Sequence, residues 1–274
     1  MLNQLDLKQF KCFKELHLPL QPLTLLTGLN ASGKSSVLQA LVLLHQTMRE
    51  HEWSARLMLN GSMVQLRTLA DVVDKVNGRN TFEIGIQDDG LNYSWTFLGE
   101  RSDMSLRVEE VVIGKRKHIS PTEFQYLIPN EFMTKINLEV KQIHNLTNRI
   151  RKMTYLTAER MGPREVYDLE DRQVATVVGS NGDKAFSVLH WGRDENVLTK
   201  LALKNVPTSR FRQVEARMNM FFPGFAMELQ QVPRTNALTL GIRTSEDTDF
   251  HRPVHVGFGL TQVLPIILIS AILA

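Results

Sequence analysis

The chain has 274 residues, 43% hydrophobic and 22% charged, a composition that excludes a disordered, collagen-like or coiled-coil polypeptide as a description of the whole. Its single cysteine, Cys12, excludes an internal disulfide and hence a secreted disulfide scaffold, so a reducing, cytoplasmic setting is expected. The balance of 32 Lys+Arg against 29 Asp+Glu leaves a formal +3, too small an excess to argue for a nucleic-acid partner.

Charges interrupt the first twenty residues every few positions, which excludes a signal-peptide core there. Residues 3–9 and 13–20 alternate apolar and polar, through Leu5 and Leu7, then Leu16, Leu18 and Leu20, and predict two strands of a hairpin. Cys12, between them, is expected to be a packing residue. Leu23 to Thr27 is a continuous apolar run, the pattern of a strand buried on both faces. From Lys34 to Met48, Leu38, Leu41, Val42 and His45 recur at helical spacing, and Leu43 and Leu44 widen the apolar side toward burial. Residues 82–87, 91–98 and 104–113 read as three more strands, with turn chemistry at Asp88-Asp89-Gly90.

Residues 114–152 are polar and basic, from Lys115-Arg116-Lys117-His118 to Arg149, Arg151 and Lys152, with a short helix expected over Glu139 to Ile150. Tyr155 to Ala158 reads as a strand entering the turn at Gly162-Pro163. Helical patterns follow over Asn196 to Lys204 and Arg210 to Phe222, then strands over 225–232, 237–243 and 253–257. The last eleven residues, Leu264 to Ala274, form an apolar run too short for a bilayer, which needs about 20 residues, and are read as a buried element.

The strongest chemical signal is Gly28-Leu29-Asn30-Ala31-Ser32-Gly33-Lys34-Ser35, which fits the phosphate-loop pattern G-x-x-x-x-G-K-S/T, followed by a second hydroxyl at Ser36. Glycines at 28 and 33 permit backbone angles that turn successive N–H groups inward to phosphate oxygens, and the helix starting there adds partial positive charge. Lys34 is the expected bridge to the terminal phosphates of ATP, and Ser35 the expected hydroxyl ligand of Mg²⁺.

With Asn30 inside the loop and Ser36 after it, GLNASGKSS resembles the SMC/RecF-like branch of ABC-type ATPases, which includes the OLD-type ATPases of phage defence. The preceding LDLKQFKCFKELHLPLQPLTLLTG is similar to that family's first hairpin, with Phe10-Lys11-Cys12-Phe13-Lys14 as the matching core. Tyr155-Leu156-Thr157-Ala158-Glu159-Arg160-Met161-Gly162-Pro163-Arg164 resembles a run found in a subgroup of AAA-type, SMC-like bacterial ATPases; two arginines beside a Gly-Pro turn suit an anion or a structural ion pair. Val256-Gly257-Phe258-Gly259-Leu260-Thr261-Gln262-Val263-Leu264-Pro265 resembles the signature motif, the counterpart of LSGGQ in ABC transporters. In the family that segment faces the nucleotide held by a partner subunit. The resemblance therefore makes Gly257, Gly259, Thr261 and Gln262 nucleotide-facing residues, with Thr261 donating from its hydroxyl and Pro265 in the first helical turn. It also makes Gln65 and Asp71 candidates for sensing Mg²⁺ and the γ-phosphate, with a solvated or capping role equally open for each.

The resemblance implies an α/β fold, an ABC-ATPase-like head with a mixed β-sheet, a phosphate-loop helix and an antiparallel β subdomain. The expected division is 1–113 as the phosphate-loop and β lobe, 114–152 as a basic insertion and 153–274 as a second lobe carrying the signature. The Walker B strand, apolar residues ending in Asp and Glu, is not found: Glu109 and Glu110 precede Val111 and Val112 in the wrong order, and Asp168 to Asp171 lies in a polar stretch. The catalytic carboxylate is thus unassigned. The chain is expected to be a fragment of a longer head, half of a split head, or a nucleotide-binding subunit that does not hydrolyse. His251 and His255 do not share a helical face, and no zinc cluster or G-x-S-x-G elbow is found. No heptad run separates loop from signature, which excludes a long coiled-coil arm and points to compact defence-type or RecF-like heads. The expected function is an ATP-binding head that forms a homodimer or larger oligomer through ATP and drives an effector such as a nuclease, in phage defence or DNA maintenance. DNA is an allowed partner and a membrane is not expected. The alternative is a non-hydrolysing nucleotide-binding or scaffolding subunit.

Overall fold

The computed structural model of the chain describes residues 1–76, 80–119, 122–133, 138–173 and 177–272. The chain folds as two compact units, Met1–Met153 and Thr154–Ala274.

The first unit is built on strands β1 (Leu2–Phe10), β2 (Phe13–Pro19), β3 (Arg56–Met58), β4 (Thr81–Asp88), β5 (Leu91–Leu98), β6 (Ser105–Ile113) and β7 (Arg116–Ile119), with helices α1 (Lys34–Glu50) and α2 (Leu69–Val72). A two-strand ribbon, β8 (Phe124–Gln125) with β9 (Ile128–Pro129), precedes α3 (Leu138–Arg151). The main sheet runs β2-β1-β4-β5-β6-β3, with β7 added on β6, and every pairing is antiparallel. Period-two patterning explains its inner face. Leu5 and Leu7 on β1, Ile84 and Ile86 on β4, and Tyr93, Trp95 and Phe97 on β5 are buried, and α1 and α3 contribute to the same core. The β4–β5 turn places Asp89 at φ 47° and Gly90 at φ 82°, two successive left-handed residues, as a tight hairpin requires. On α1, His45 Nδ1–H donates to Ile150 O at 2.6 Å, tying that helix to α3, and burial holds the His45 pKa down.

The second unit carries a three-stranded antiparallel sheet, β10 (Tyr167–Asp168), β11 (Ala226–Gln231) and β12 (Ala237–Arg243), in the order β10-β12-β11. Helices α4 (Ala185–Trp191), α5 (Arg210–Phe221) and α6 (Phe258–Ile272) complete it. Its core includes Tyr167, Phe186, Val214, Met218, Leu240, Leu264 and Leu268. Helices and sheets combine in an α/β ATPase-like fold, although strand directions do not mix among the described residues. Among those residues no helix is long and apolar enough to cross a membrane.

Several expected elements take another form. Residues 23–27 are not a buried strand: Leu23 is 87% and Leu25 81% exposed. No described strand pairs with this run, so its N–H and C=O groups are left to water, and only Leu26 packs on the core. Residues 155–158 have a single backbone link to a neighbour, Thr157 N–H to Ser180 O at 2.6 Å, too little for a ladder. The helix expected over 196–204 reduces to one 3₁₀ turn, Thr199–Leu201, because Leu198 and Leu201 face solvent and give it no core to bury. The strand expected over 253–257 is a 3₁₀ turn, Pro253–His255, since Pro253 cannot donate to a ladder. Helix α6 starts at Phe258, earlier than the signature reading implied. Gly257 and Gly259 do not adopt left-handed angles, so the helix runs back to them and Pro265 falls in its interior.

Several cations of the 114–152 segment have partners within the first unit. Arg116 pairs with Glu139 and Lys117 with Glu110, each at 2.7 Å; Arg149 joins Asp88 and Asp89, and Arg151 lies 4.0 Å over the Tyr126 ring.

Candidate nucleotide-binding site

The phosphate loop links the β2 side of the first unit to α1. Gly28 at φ 148°, Ala31 at φ 64° and Gly33 at φ 90° bend the chain through conformations that side chains resist, and Ser32 N–H closes a turn on Leu29 O at 3.3 Å. The first i→i−4 bond of α1 runs from Val37 N–H to Gly33 O at 3.2 Å. The N–H groups of Lys34, Ser35 and Ser36 precede it and have no intrahelical acceptor, which concentrates the positive end of the helix at the loop. The Lys34 ammonium turns back across the loop and donates to Gly28 O at 2.8 Å and Leu29 O at 2.6 Å, with Ser32 Oγ at 3.4 Å. Ser32 and Ser35 are exposed, as are Gly28, Asn30 and Ala31; Gly33, Lys34 and Ser36 are half-buried.

What holds the loop is the first hairpin. A Cβ placed on Gly33 would lie 2.7 Å from Cys12 Sγ and 2.7 Å from Phe13 Cζ, so the glycine seats directly on the β1–β2 turn. Cys12 is therefore not packed inside the hairpin; it is exposed, with its sulfur against the loop. Lys11, next to it, donates to Gln39 Oε1 of α1 at 2.5 Å, and burial lowers its pKa. A cleft of about 280 Å³ lies beside the loop, with Phe13, Leu16 and Leu18 of β2 on one side and Leu25, Ser32 and Lys34 on the other. Its lining is apolar apart from the loop itself and contains no carboxylate.

Neither metal candidate outside the loop lines this cleft. Asp71 caps α2: Thr68 N–H and Thr68 Oγ1 donate to its Oδ2 at 3.3 and 3.0 Å, and these bonds hold its carboxyl below the usual range. Gln65 is exposed, in an isolated bridge to Asn60. Ser35 fits the expected hydroxyl ligand, since it is exposed on the first turn of α1. No group of three His, Cys, Asp or Glu among the described residues could hold a metal ion. Mg²⁺ at this loop would thus be held by Ser35 and by the nucleotide's own phosphates.

In the second unit the signature segment packs against two others. Gln262 Nε2 donates to Arg160 O at 3.2 Å, and Arg160 Nη1 reaches back to Gln262 O at 3.4 Å. The Phe258 ring abuts Gly162, and Pro265 packs on Gly182. Thr261 is 3% exposed, and its hydroxyl donates to Phe258 O at 2.9 Å, a bond inside its own helix, so it is not turned outward as expected. Gly257 and Gly259 differ from it: a Cβ on either meets nothing within 4 Å. The turn Gly179-Ser180-Asn181-Gly182, which the sequence reading passed over, joins this cluster through Asn181 O, which accepts from Met161 N–H at 2.7 Å. Two glycines three apart before an apolar helical stretch were the signal; both are left-handed, at φ 77° and 80°.

Residues 1–176 match the family model described as the AAA ATPase domain. Over 41 residues, 15% of this chain, the sequence is 44% identical to the OLD nuclease of Thermus scotoductus. That stretch spans 8% of the relative's length.

Proposed function

The chain belongs to the AAA ATPase domain family and is a P-loop ATPase, and from that premise we propose that it is an ATP-binding head that dimerises around nucleotide and couples ATP to an effector. The observation that carries this reading is the loop from Gly28 to Ser36, with its left-handed glycines braced on Cys12 and Phe13 and its lysine and free helix N–H groups gathered at one edge. That arrangement suits a polyphosphate. Lys34 exchanges its two carbonyl acceptors for phosphate oxygens, and the N–H groups of residues 34–36 supply further donors. Mg²⁺, bound through Ser35, supplies charge neutralisation between phosphates. The adjoining apolar cleft has no carboxylate to activate water, which favours slow turnover by this chain on its own.

Dimerisation rests on Gly257 and Gly259. Their lack of a side chain relieves no crowding within the described residues, so the open approach they create suits a surface or phosphate outside this chain. An effector of nuclease type is suggested by the likeness to the OLD nuclease, and a role in phage defence or DNA maintenance is part of the same proposal, from the resemblance of the phosphate loop. The test is calorimetric titration of Mg-ATP into the chain and into Lys34→Ala. Binding that is lost in the variant supports the reading; equal binding by both removes the loop from it.

A further inference from the structure

The second unit contains another polar cleft, of about 400 Å³, formed where residues 157–164 meet the turn at 179–182. Its lining includes Arg160, Arg164, Asn181 and a single carboxylate residue, Glu159. Arginine stays charged at any physiological pH, so two of them in one cleft call for an anion. Arg116, Arg210 and Arg212 each meet a glutamate at 2.7 Å. Arg160 and Arg164 form no ion pair among the described residues, and Glu159 pairs with neither. Arg160 is half-buried, its Nε is enclosed without an acceptor, and its Nη1 has only the 3.4 Å contact to Gln262 O. Most of its donor capacity is unspent.

The backbone that carries these donors is held in place. The Arg160 backbone is clasped by Gln262 Nε2. Arg164 stands beyond the Gly162-Pro163 turn, its N–H bonded to Tyr167 Oη at 3.1 Å. Asn181 Oδ1 accepts from Asp183 N–H at 3.1 Å, which fixes the amide and directs its NH₂ end away from that bond. Two arginines of the 157–164 segment and one amide of the 179–182 turn line the same cleft, and together their guanidinium and amide donors suit an anion with several oxygens.

We infer that Arg160, Arg164 and Asn181 form a phosphate-binding site in the second unit, separate from the phosphate loop. It takes a phosphoryl group, supplied as free inorganic phosphate or as the terminal phosphate of a nucleotide.

The experiment uses the full chain carrying Lys34→Ala, so that a failure of the phosphate loop does not touch the outcome. Phosphorus-31 line broadening and calorimetry are recorded with inorganic phosphate and separately with ADP. The site predicts saturable phosphate binding, weakened about tenfold or more by Arg164→Gln and by Arg160→Gln. Arg160→Lys should weaken it less, and Glu159→Gln should tighten it several-fold. Equal affinity for the two probes identifies free phosphate as the ligand, and tighter ADP binding identifies a nucleotide. Arg164 is exposed, so its variant tests the site without disturbing the core. No phosphate binding by the Lys34→Ala chain, or binding unchanged in Arg164→Gln and Arg160→Gln, overturns the proposal.

Discussion

Gly28 and Gly33 in the first unit, and Gly257 and Gly259 in the second, belong to the two motifs that carry the functional reading, and their geometry differs. The first pair adopts φ of 148° and 90°, and Gly33 is pressed against Cys12 and Phe13. The second pair lacks left-handed angles, and among the described residues no atom beyond the adjoining residues and the helix's own backbone lies within 4 Å of where a Cβ would stand. Gly33 is a glycine because its own fold demands one. Gly257 and Gly259 are not demanded by anything in the described residues, which leaves room for the approach that the proposed function assigns to them. The phosphate loop is thus braced by the hairpin beneath it, whereas the two signature glycines carry no such local demand, as the proposed contact with a second copy requires.

The largest expected effect is on the preformed side. Lys34→Ala removes the charge-assisted donors to phosphate and should weaken ATP by about a hundredfold or more, read by calorimetry, with folding unchanged by circular dichroism. Next is Gly33→Ala, which combines a left-handed backbone penalty of about 1–2 kcal/mol with overpacking of about 1–3 kcal/mol against Cys12 and Phe13. Urea unfolding should show a loss of about 2–5 kcal/mol; a variant as stable as the parent would mean the hairpin does not brace the loop. Gly259→Ala lies on the other side of the comparison. It sits in the first turn of α6 in open space, so it should leave stability unchanged or raise it by up to about 0.5 kcal/mol, while impairing nucleotide-driven association. Destabilisation by this variant would erase the contrast between the two glycine pairs.

The smallest effect concerns the hairpin's outer face. His17 Nδ1 meets Asp6 Oδ1 at 2.5 Å, with Glu15 beside Nε2, and the Asp6 bond raises the His17 pKa above its ordinary 6.5. A raised folded-state value means the stabilisation is full below 6.5 and is lost as pH rises through the raised value. His17 is exposed, so His17→Gln should flatten the pH dependence of stability only slightly across that window, as monitored by denaturation midpoints.

Much of the first unit was legible because its strands are half-buried. Alternation in 3–9, 13–20 and 91–98 can arise only where one face meets a core, and β1, β2 and β5 follow it. The phosphate loop was legible for a different reason, since its glycines answer to backbone angles that no other residue accepts cheaply. The run 23–27 misled because apolar composition signals burial only when a neighbouring strand completes its hydrogen bonds, and composition cannot say whether one is there. For Asp71 the sequence left a metal-sensing and a capping role open, and Thr68 three residues before it spells the capping box that the structure forms. The start of α6 was missed because glycine and proline were taken as boundary marks, whereas Gly259 lies within the first turn of the helix and Pro265 sits inside it, against Gly182. The contacts of Cys12 with Gly33 and of Arg160 with Gln262 join residues far apart in the chain, and no periodicity encodes them.

The central claim is that nucleotide held by the phosphate loop draws a second copy onto the open signature glycines. Sedimentation velocity of the chain with and without Mg²⁺ and a non-hydrolysable ATP analogue, alongside Gly259→Ala, tests it most directly. The account predicts a nucleotide-dependent shift to a dimer that the variant loses while still binding the analogue. A mass indifferent to saturating nucleotide, or a shift undiminished in Gly259→Ala, would contradict it.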